Sequence, residues 1–433
     1  MAFGKRIALL VTLLSLALSC SRDGDFDPLY LPSEGSGAVE TGQSRQPSEV
    51  NGRVMIMVSA GYNSLRSYLS EDLQELSGSY LPPVGSYAGN DVLLVFSRLS
   101  EDPPVLYRMF KGTDGETRRD TLKVWPAGSR MTDPAVFRSA LELARDRFPS
   151  KSYGMVFSSH ASGWLPARYY TDPAVYEREH AAKSPALRSW EPPVQWEFPA
   201  IDPYPAVKSL GQDKDGEMEM ELKDFVDAIP MHLDYLLLDA CLAGCVEVAY
   251  ALKDKADLIG FSQTEVLANG FDYTTLTQYL LGSETDPVGV CKAYFDYYDR
   301  QTGSNRSATI SVLDLRRIDT LAQVCARLFD THRDKLRTLS SVGVQGYFRF
   351  DRHFFYDLKD ILVHAGITPE EEAELDQALN TCIVYKAATE HFLSIDINTY
   401  SGLSMYLPSR GTALLNSFYK ENMAWNAATG LVE

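Results

Sequence analysis

Cysteine is scarce in this sequence of 433 residues, which contains only 6, and apart from Cys241 and Cys245 the cysteines are far apart. A structural zinc site needs two close pairs of ligands, so this spacing argues against one. Basic charge is also in short supply, with 41 Lys and Arg against 58 Asp and Glu and a formal net charge of −17. The charge balance argues against a nucleic-acid partner and favours a cationic partner or substrate.

Long apolar runs are absent except at the N-terminus, where a basic pair at residues 5–6 precedes the apolar run 7–18. This order, followed by small residues, is typical of a secretion signal. The ending LALSC at residues 16–20 resembles the lipobox of bacterial lipoproteins, in which the cysteine is acylated and becomes the new N-terminus. We therefore expect residues 1–19 to be removed and Cys20 to anchor an exported protein in the membrane, at the outer membrane or cell surface. The alternative is a plain signal peptide that is cut slightly later.

The rest of the chain predicts a tether followed by an α/β fold. Residues 20–50 comprise the lipidated cysteine and a stretch rich in Ser, Gly, Pro and acids, which is typical of a flexible tether. From residue 51 onward, continuous apolar strands such as YGMVFSS and YLLLD alternate with helix-like segments. This alternation predicts a mostly parallel sheet with helices on both faces. We assign the main α/β domain to residues 51–310 and a mostly helical region that completes the fold to residues 311–433.

Two predicted strands lead into side chains that suit acid–base or nucleophilic chemistry. His160 follows YGMVFSS, and Asp239 and Cys241 stand at the end of YLLLDAC. Sites in an open parallel sheet form beyond the carboxyl ends of the strands, so we expect these side chains at one edge. A helix predicted from about Leu242 would place Cys241 at the positive helix end, which favours a thiolate nucleophile. The backbone N–H groups of Ala161 and Cys241 would then point at a developing oxyanion.

Ordinary packing is the alternative for each of these residues. Free cysteine is among the most buried residue types, so frequency alone favours a packing role for Cys241. We assign packing to Cys245, because side chains one helical turn apart do not point at each other as a disulfide requires. With the signal removed and Cys20 acylated, five other cysteines remain, and an odd number in an exported protein flags a reactive thiol. The position of His160 at a strand end, within SHASGW, distinguishes it from the other histidines.

The segments SSHASGW and LLLDACLAGC resemble the clostripain family of cysteine peptidases, whose pattern has His before Gly-x-Gly-Trp and a strand that ends in Asp-Ala-Cys-Leu. The resemblance extends to the motifs NSL at 63–65, YDLKD at 356–360 and GLSMYLP at 402–408. It implies a caspase-like fold and cleavage after Arg or Lys of a protein or peptide substrate. It also implies that His160 is the catalytic histidine, Cys241 the nucleophile, and Asp239 the acid at the floor of the pocket for the basic side chain.

The sequence departs from the family pattern in ways that leave a second function open. Ala161 replaces the usual Gly after the histidine, and no second pocket acid is obvious. These features motivate the alternative of a catalytically decayed, surface-tethered binding protein on the same fold. Glu265, Asn269 and Asp272 follow in the loop beside the predicted pocket, and the sequence does not choose among them for a second polar contact. An acid at Asp239 argues against an acidic substrate residue.

Residues 165–216 lose all periodicity, and such a long irregular segment inside a domain is usually functional or mobile. Members of the family are often zymogens that are cut after a basic residue between the histidine and the cysteine, and we prefer an Arg upstream of Lys214, which acids flank. The DKDG stretch at 213–216 is interpreted as a turn, with a calcium site as a minor alternative, because Gly211 and Leu222 stand where an EF-hand needs acids. We predict no other cofactor. The basic residues available for the cut are Arg168, Arg178, Lys183, Arg188, Lys208 and Lys214.

Overall fold

The computed structural model describes residues 52–84, 90–169, 173–183, 204–207, 219–349 and 353–433. The predicted signal, the tether and Cys20 lie outside the described residues. The strands are β1 (Arg53–Ala60), β2 (Val92–Arg98), β3 (Val105–Lys111), β4 (Thr117–Val124), β5 (Ser152–Ser158), β6 (Leu233–Asp239), β7 (Ala256–Phe261), β8 (Thr309–Asp314), β9 (Tyr356–Asp357), β10 (Ile383–Ala388), β11 (His391–Phe392), β12 (Ile395–Asp396) and β13 (Ser404–Met405). The α-helices are α1 (Arg66–Gly78), α2 (Pro134–Arg147), α3 (Pro173–Lys183), α4 (Leu222–Ala228), α5 (Val246–Ala251), α6 (Leu276–Leu281), α7 (Pro287–Asp299), α8 (Ile318–Thr331), α9 (Arg333–Thr338), α10 (Leu358–His364), α11 (Pro369–Cys382), α12 (Ala413–Asn422) and α13 (Ala424–Thr429).

A mixed sheet with the strand order β10-β8-β7-β6-β5-β1-β2-β3-β4 forms the centre of the fold. The five central strands, from β7 to β2, run parallel, and two antiparallel strands extend the sheet at each edge. The parallel strands are continuous apolar runs because both of their faces are covered, and β2 is buried at every position. The predicted α/β class and the parallel central strands are confirmed.

Helices cover the sheet in two groups of contacts. One group links α2, α4, α5, α13, α8 and α11 in succession, and the other joins α6 and α7 to β1, β7, β8 and β10. The C-terminal region contributes both helices and the edge strand β10, so it is built into the same sheet as the N-terminal half. Among the described helices, none is long and apolar enough to cross a membrane.

Several elements differ from the sequence-based expectation. The segment 165–216, expected to be irregular, contains α3, whose Ala- and Glu-rich sequence supports a helix despite its weak amphipathic pattern. The strand expected only near 121–125 is the longer β4, and β3 and β10 were not expected at all. Edge strands such as β4 carry exposed polar side chains, which hides the apolar pattern that a buried strand displays.

Candidate active site

The loops after β5 and β6 meet at the carboxyl edge of the parallel strands. These two strands are neighbours, and their register pairs Ser158 with Asp239. His160 lies two residues after Ser158, and Cys241 lies two residues after Asp239. Both therefore lie at the same level beyond the ends of adjacent strands. Neighbouring strands are only about 5 Å apart, so the two loops have to pack against each other. The predicted common edge for the two residues is therefore confirmed.

The backbones of these two loops approach each other closely at Gly163 and Leu242. Gly163 has φ of +63°, and a Cβ atom there would lie 2.6 Å from the carbonyl oxygen of Leu242. Both the left-handed backbone and the lack of space require glycine at this position. Leu242 itself has φ of +58°, a conformation that is uncommon for a branched apolar residue. The chain therefore turns sharply just after Cys241 and presses against the histidine loop.

The surroundings of Cys241 differ from the prediction in one respect. Helix α5 begins at Val246, and not at Leu242, with Cys245 as its N-cap residue. The intervening residues bind instead to the chain after β7, since Leu242 N–H donates to the Thr264 carbonyl at 2.9 Å. The expected helix N-terminus at Cys241 is therefore wrong, because these cross-loop hydrogen bonds hold residues 242–244 in a turn.

The Cys241 thiol is buried and receives a backbone hydrogen bond. Its side chain is 0 % exposed, and the Val266 N–H donates to Sγ at 3.0 Å. The thiol also donates to the Val266 carbonyl at 3.7 Å, so the backbone of Val266 offers the sulfur both a donor and an acceptor. Cys241 and Cys245 form no disulfide with each other, and all five described cysteines are buried and outside any disulfide.

His160 is half-buried, and its Nε2 lies 3.1 Å from the Ser64 hydroxyl. Ser64 belongs to the exposed loop that follows β1, so a third strand end contributes to the site. The sequence analysis missed this contact, although the NSL motif at 63–65 was part of the family resemblance. The hydroxyl fixes the orientation of the imidazole ring from the side of β1.

Asp239 is enclosed between two hydroxyl groups. Its side chain is 1 % exposed, and its Oδ2 accepts hydrogen bonds from Ser158 at 3.1 Å and from Tyr273 at 2.7 Å. Burial raises the pKa of Tyr273 well above its usual range, and the nearby Asp239 charge raises it further. The phenol therefore stays protonated and donates to the carboxylate. Neither hydroxyl partner of Asp239 was found from the sequence.

A cavity of about 290 Å³ lies beside the loop that continues from Val266. We call it the acidic cavity, because four acids line it: Glu71, Asp72, Glu75 and Asp272. Asn269 lines it as well, so two of the three loop residues left open by the sequence face this space. Burial raises the pKa of Glu75, and the charges of Glu71 and Asp272 add to the rise. The cavity thus concentrates negative charge in a partly enclosed space.

Glu265, the third of those loop residues, is engaged elsewhere. Its carboxylate is 0 % exposed and accepts two hydrogen bonds from Arg349, at 2.7 Å from Nε and 3.2 Å from Nη2. This bidentate ion pair is buried, since the Arg349 side chain is only 7 % exposed. Glu265 immediately precedes Val266, so the pair anchors the residue whose N–H contacts Cys241.

The described segment 204–207 lies along the same loop. Val207 forms an antiparallel bridge with Leu267, and the Ala268 N–H donates to the Ala206 carbonyl at 2.8 Å. The guanidinium of Arg349 lies 6.0 Å from the ring centre of Tyr204. Part of the chain between the histidine and the cysteine is thus added as a short strand to the edge next to the thiol.

Metal ligation has no candidate among the described residues, where no group of three or more His, Cys, Asp or Glu side chains is placed to hold an ion. The DKDG stretch, considered above for calcium, lies outside the described residues, as do Arg188, Lys208 and Lys214. The calcium alternative therefore stays a prediction.

Comparison with protein-family models finds the Clostripain family, with matches over residues 57–177 and 196–427. The chain belongs to the clostripain family. As a member of this family of C11 peptidases, it is a cysteine protease that acts on protein or peptide substrates. A search of curated proteins found no significant match.

Solved structures of C11 proteases share the fold of this clostripain-family chain. An inactive zymogen C11 protease from Parabacteroides distasonis is 26 % identical, with a TM-score of 0.69 over 89 % of this chain and 99 % of that one. A secreted C11 cysteine protease from Bacteroides thetaiotaomicron is 23 % identical, with a TM-score of 0.68 over 88 % and 99 %. The same protein in complex with an irreversible peptide inhibitor has a TM-score of 0.67. The caspase-like core predicted from the sequence is thus the fold of this family.

Proposed function

We propose that this chain is an exported, lipid-anchored endopeptidase that cleaves after Arg or Lys through a Cys241–His160 dyad. The observation that carries the proposal is the register of β5 and β6, which places both residues just beyond the ends of adjacent strands. His160 takes the thiol proton, and Cys241 attacks the carbonyl carbon of the scissile bond. The amine product leaves with the proton held by His160, and water then hydrolyses the thioester. The N–H groups of Ala161 and Cys241 are the proposed donors to the oxyanion.

Selectivity for a basic residue is supported by the carboxylates that lie close to Tyr273. Tyr273 connects them, since its hydroxyl binds Asp239 and its pKa responds to the charges of both Asp239 and Asp72. Asp72 lines the acidic cavity. A guanidinium or ammonium group gains most where several carboxylates share a poorly solvated space. We propose that Asp239 and the acidic cavity together select Arg or Lys.

Zymogen behaviour is the next part of the proposal. The Cys241 side chain is 0 % exposed, and the segment 204–207 is added to the loop edge next to it. The Parabacteroides distasonis relative is described as an inactive zymogen. We propose that this chain is likewise made inactive and is cut after a basic residue within 165–216, which releases the segment from the edge of the loop.

Active-site labelling is the first test. Purified protein that begins at residue 21, before and after limited trypsin treatment, is incubated with a peptidyl-Arg acyloxymethyl ketone and mapped by mass spectrometry. We expect label on Cys241 that is lost in Cys241→Ala and His160→Ala and kept in Cys325→Ala, a matched buried thiol on α8. Labelling that appears only after trypsin treatment supports the zymogen. Absence of labelling both before and after trypsin would instead favour the catalytically decayed binding protein.

Specificity is tested with the same ketone carrying Arg, Lys or Asp. We expect the ketones that carry Arg or Lys to label Cys241, and the ketone that carries Asp not to label it. Asp239→Asn and Asp72→Asn are expected to slow labelling by the basic probes, while a small neutral thiol reagent reacts as before. Equal slowing of both reagents would contradict a specificity role and would indicate damage to the nucleophile.

The segment 204–207 is tested by loosening it. Tyr204→Ala removes the ring beside Arg349, so we expect the uncut protein to label faster than wild type. Ala206→Ser is the matched control, because the exposed Ala206 contacts the loop through its backbone carbonyl, which serine retains. Unchanged labelling of the Tyr204→Ala protein would contradict the inhibitory role of the segment.

Lipid anchoring is tested at Cys20. We expect the wild-type protein made in a bacterial host to partition into detergent and to carry acyl groups on Cys20 by mass spectrometry. Cys20→Ser is expected to lose both properties. Detergent partitioning by the serine variant would contradict the anchor and would support a plain signal peptide.

A further inference from the structure

A buried carboxylate outside the dyad, Glu247, lies beneath both catalytic loops. It follows Cys241 by six residues, in the first turn of α5, and is 1 % exposed. Its Oε1 accepts hydrogen bonds from the Tyr406 N–H at 2.9 Å and from the Tyr419 hydroxyl at 2.7 Å. An ionisable group so deeply buried costs stability unless it is paired or hydrogen-bonded.

The tyrosines that bind Glu247 also hold the histidine loop. Trp164, four residues after His160, is 0 % exposed and packs its ring on Tyr406 at 4.6 Å and on Tyr419 at 4.9 Å between centroids. The two tyrosine rings contact each other at 4.7 Å. The Glu247 carboxylate and the Trp164 indole thus both contact Tyr406 and Tyr419, which belong to the C-terminal region.

The cysteine loop is tied to this C-terminal segment at a second point. The Ser404 N–H donates to the Gly244 carbonyl at 2.9 Å, and Cys245 forms a parallel bridge with Ser404. This strand-like attachment between the two segments begins at Gly244, three residues after Cys241. The hydrogen bond from the Tyr406 N–H to Glu247 extends it. The residues from 241 to 247 and the residues from 160 to 164 share a single support.

We propose that Glu247 is a positioning residue, which holds the Cys241 loop and the His160 loop in their relative position through Tyr406, Tyr419 and Trp164. The proposal rests on the proposed function, in which those loops carry the nucleophile and its base. An ionised carboxylate accepts stronger hydrogen bonds than a neutral one, so the tie is tighter when Glu247 is charged.

Titration of Glu247 supplies a signature that a purely structural contact lacks. Burial raises the pKa of Glu247 to about 7, and hydrogen bonds from Tyr406 and Tyr419 partly oppose the rise. The other ionisable groups that face it are the Cys245 thiol and the Tyr419 hydroxyl. Burial raises the pKa of both well above the usual range, so neither titrates near neutrality.

The test compares the rate of Cys241 labelling by the peptidyl-Arg ketone, from pH 5 to 9, in trypsin-treated wild type and trypsin-treated Glu247→Gln. We expect the wild-type rate to contain an inflection near pH 7 that the glutamine variant lacks. We also expect Glu247→Gln and Tyr419→Phe to be about tenfold slower at pH 8, since small misplacements of catalytic groups have effects of this order. Tyr153→Phe is the matched control, because it removes buried hydroxyl contacts at the opposite end of β5 and should keep the wild-type rate.

Superimposable pH profiles of wild type and Glu247→Gln, with only a lower melting temperature in the variant, would overturn the proposal. A second measurement does not depend on catalysis. In the Cys241→Ala background, the indole signal of Trp164 is followed by NMR and is expected to titrate with a midpoint near pH 7 only when Glu247 is present. Wild-type protein that stays unlabelled after trypsin treatment would count against the proposed function, whereas a flat indole signal would count against the role of Glu247.

Discussion

Glu247 and Glu265 are both buried, and both follow Cys241 closely in the chain, but their partners differ. Glu265 binds the guanidinium of Arg349, which keeps its positive charge at any practical pH. Glu247 binds a backbone N–H and a phenol, which are neutral donors, and burial raises its pKa to about 7. The same residue type thus forms a charge pair with Arg349 in one case and hydrogen bonds with neutral donors in the other.

Removal of Arg349 should have the largest effect, since it leaves a buried carboxylate without its charged partner. We expect Arg349→Met to lower the free energy of unfolding by about 4 kcal/mol, the range measured when one partner of a buried pair is lost. Urea denaturation measures this value. The double variant Arg349→Met/Glu265→Gln should recover much of the loss, and Arg138→Met, from an exposed pair with Glu142, should change little. Equal losses in the single and double variants would contradict a paired charge.

The pH dependence of stability should distinguish Glu247 from Glu265. The pKa of Glu247 is raised from 4.5 in the unfolded chain to about 7 in the fold, so the folded state holds the proton more tightly between these values. Wild-type stability should therefore fall as the pH rises from about 4.5 to about 7, by about 3 kcal/mol relative to Glu247→Gln. Urea unfolding of the two proteins at matched pH values measures the difference. Parallel curves would show that Glu247 does not titrate in this range.

Loss of the phenol donor should have a smaller effect. We expect Tyr419→Phe to lower the free energy of unfolding by about 2 kcal/mol above pH 7, where Glu247 is charged, which is typical of a hydrogen bond to a charged group. Below pH 5 the loss should shrink, because the neutral acid needs the donor less. A loss that is constant with pH would indicate that ring packing, and not the charged hydrogen bond, determines the effect.

Replacement of Arg349 by lysine should have the smallest effect. Lysine keeps the positive charge but provides no planar fork, so we expect a loss of about 1 kcal/mol in the free energy of unfolding. Thermal denaturation of Arg349→Lys beside Arg349→Met measures the contribution of charge apart from geometry. A lysine variant as unstable as the methionine variant would show that the bidentate geometry is essential.

Much of the fold, and the common edge at which His160 and Cys241 lie, were predictable because they depend on local patterns. Continuous apolar runs such as those of β2 and β6 are buried on both faces, and their ends place His160 and Cys241 at one edge. The start of α5 was not predictable in this way. Leu242 and Ala243 are good helix formers, but hydrogen bonds from Leu242 and Gly244 to residues 264 and 262 hold this stretch in a turn, a tertiary effect that no local pattern contains.

The supporting residues were missed because their partners are distant in sequence. Glu265 meets Arg349 across 84 residues, and Glu247 meets Tyr406 across 159. One local signal did exist for Glu247, since it is an acid inside the otherwise apolar run CVEVAYAL. A charge at a position that the pattern requires to be buried indicates a specific partner, although the pattern cannot say which one.

The sheet ends at β4 and at β10, and both ends discourage pairing between molecules. β4 carries Arg118, Arg119, Asp120 and Lys123, which are exposed or half-buried along an open edge. On β10, Lys386 reaches over to the carbonyl groups of Tyr400 and Ser401. Charged edges resist the strand-to-strand association that precedes aggregation. For an enzyme anchored to a membrane, as proposed here, such edges keep neighbouring copies from joining into intermolecular sheets.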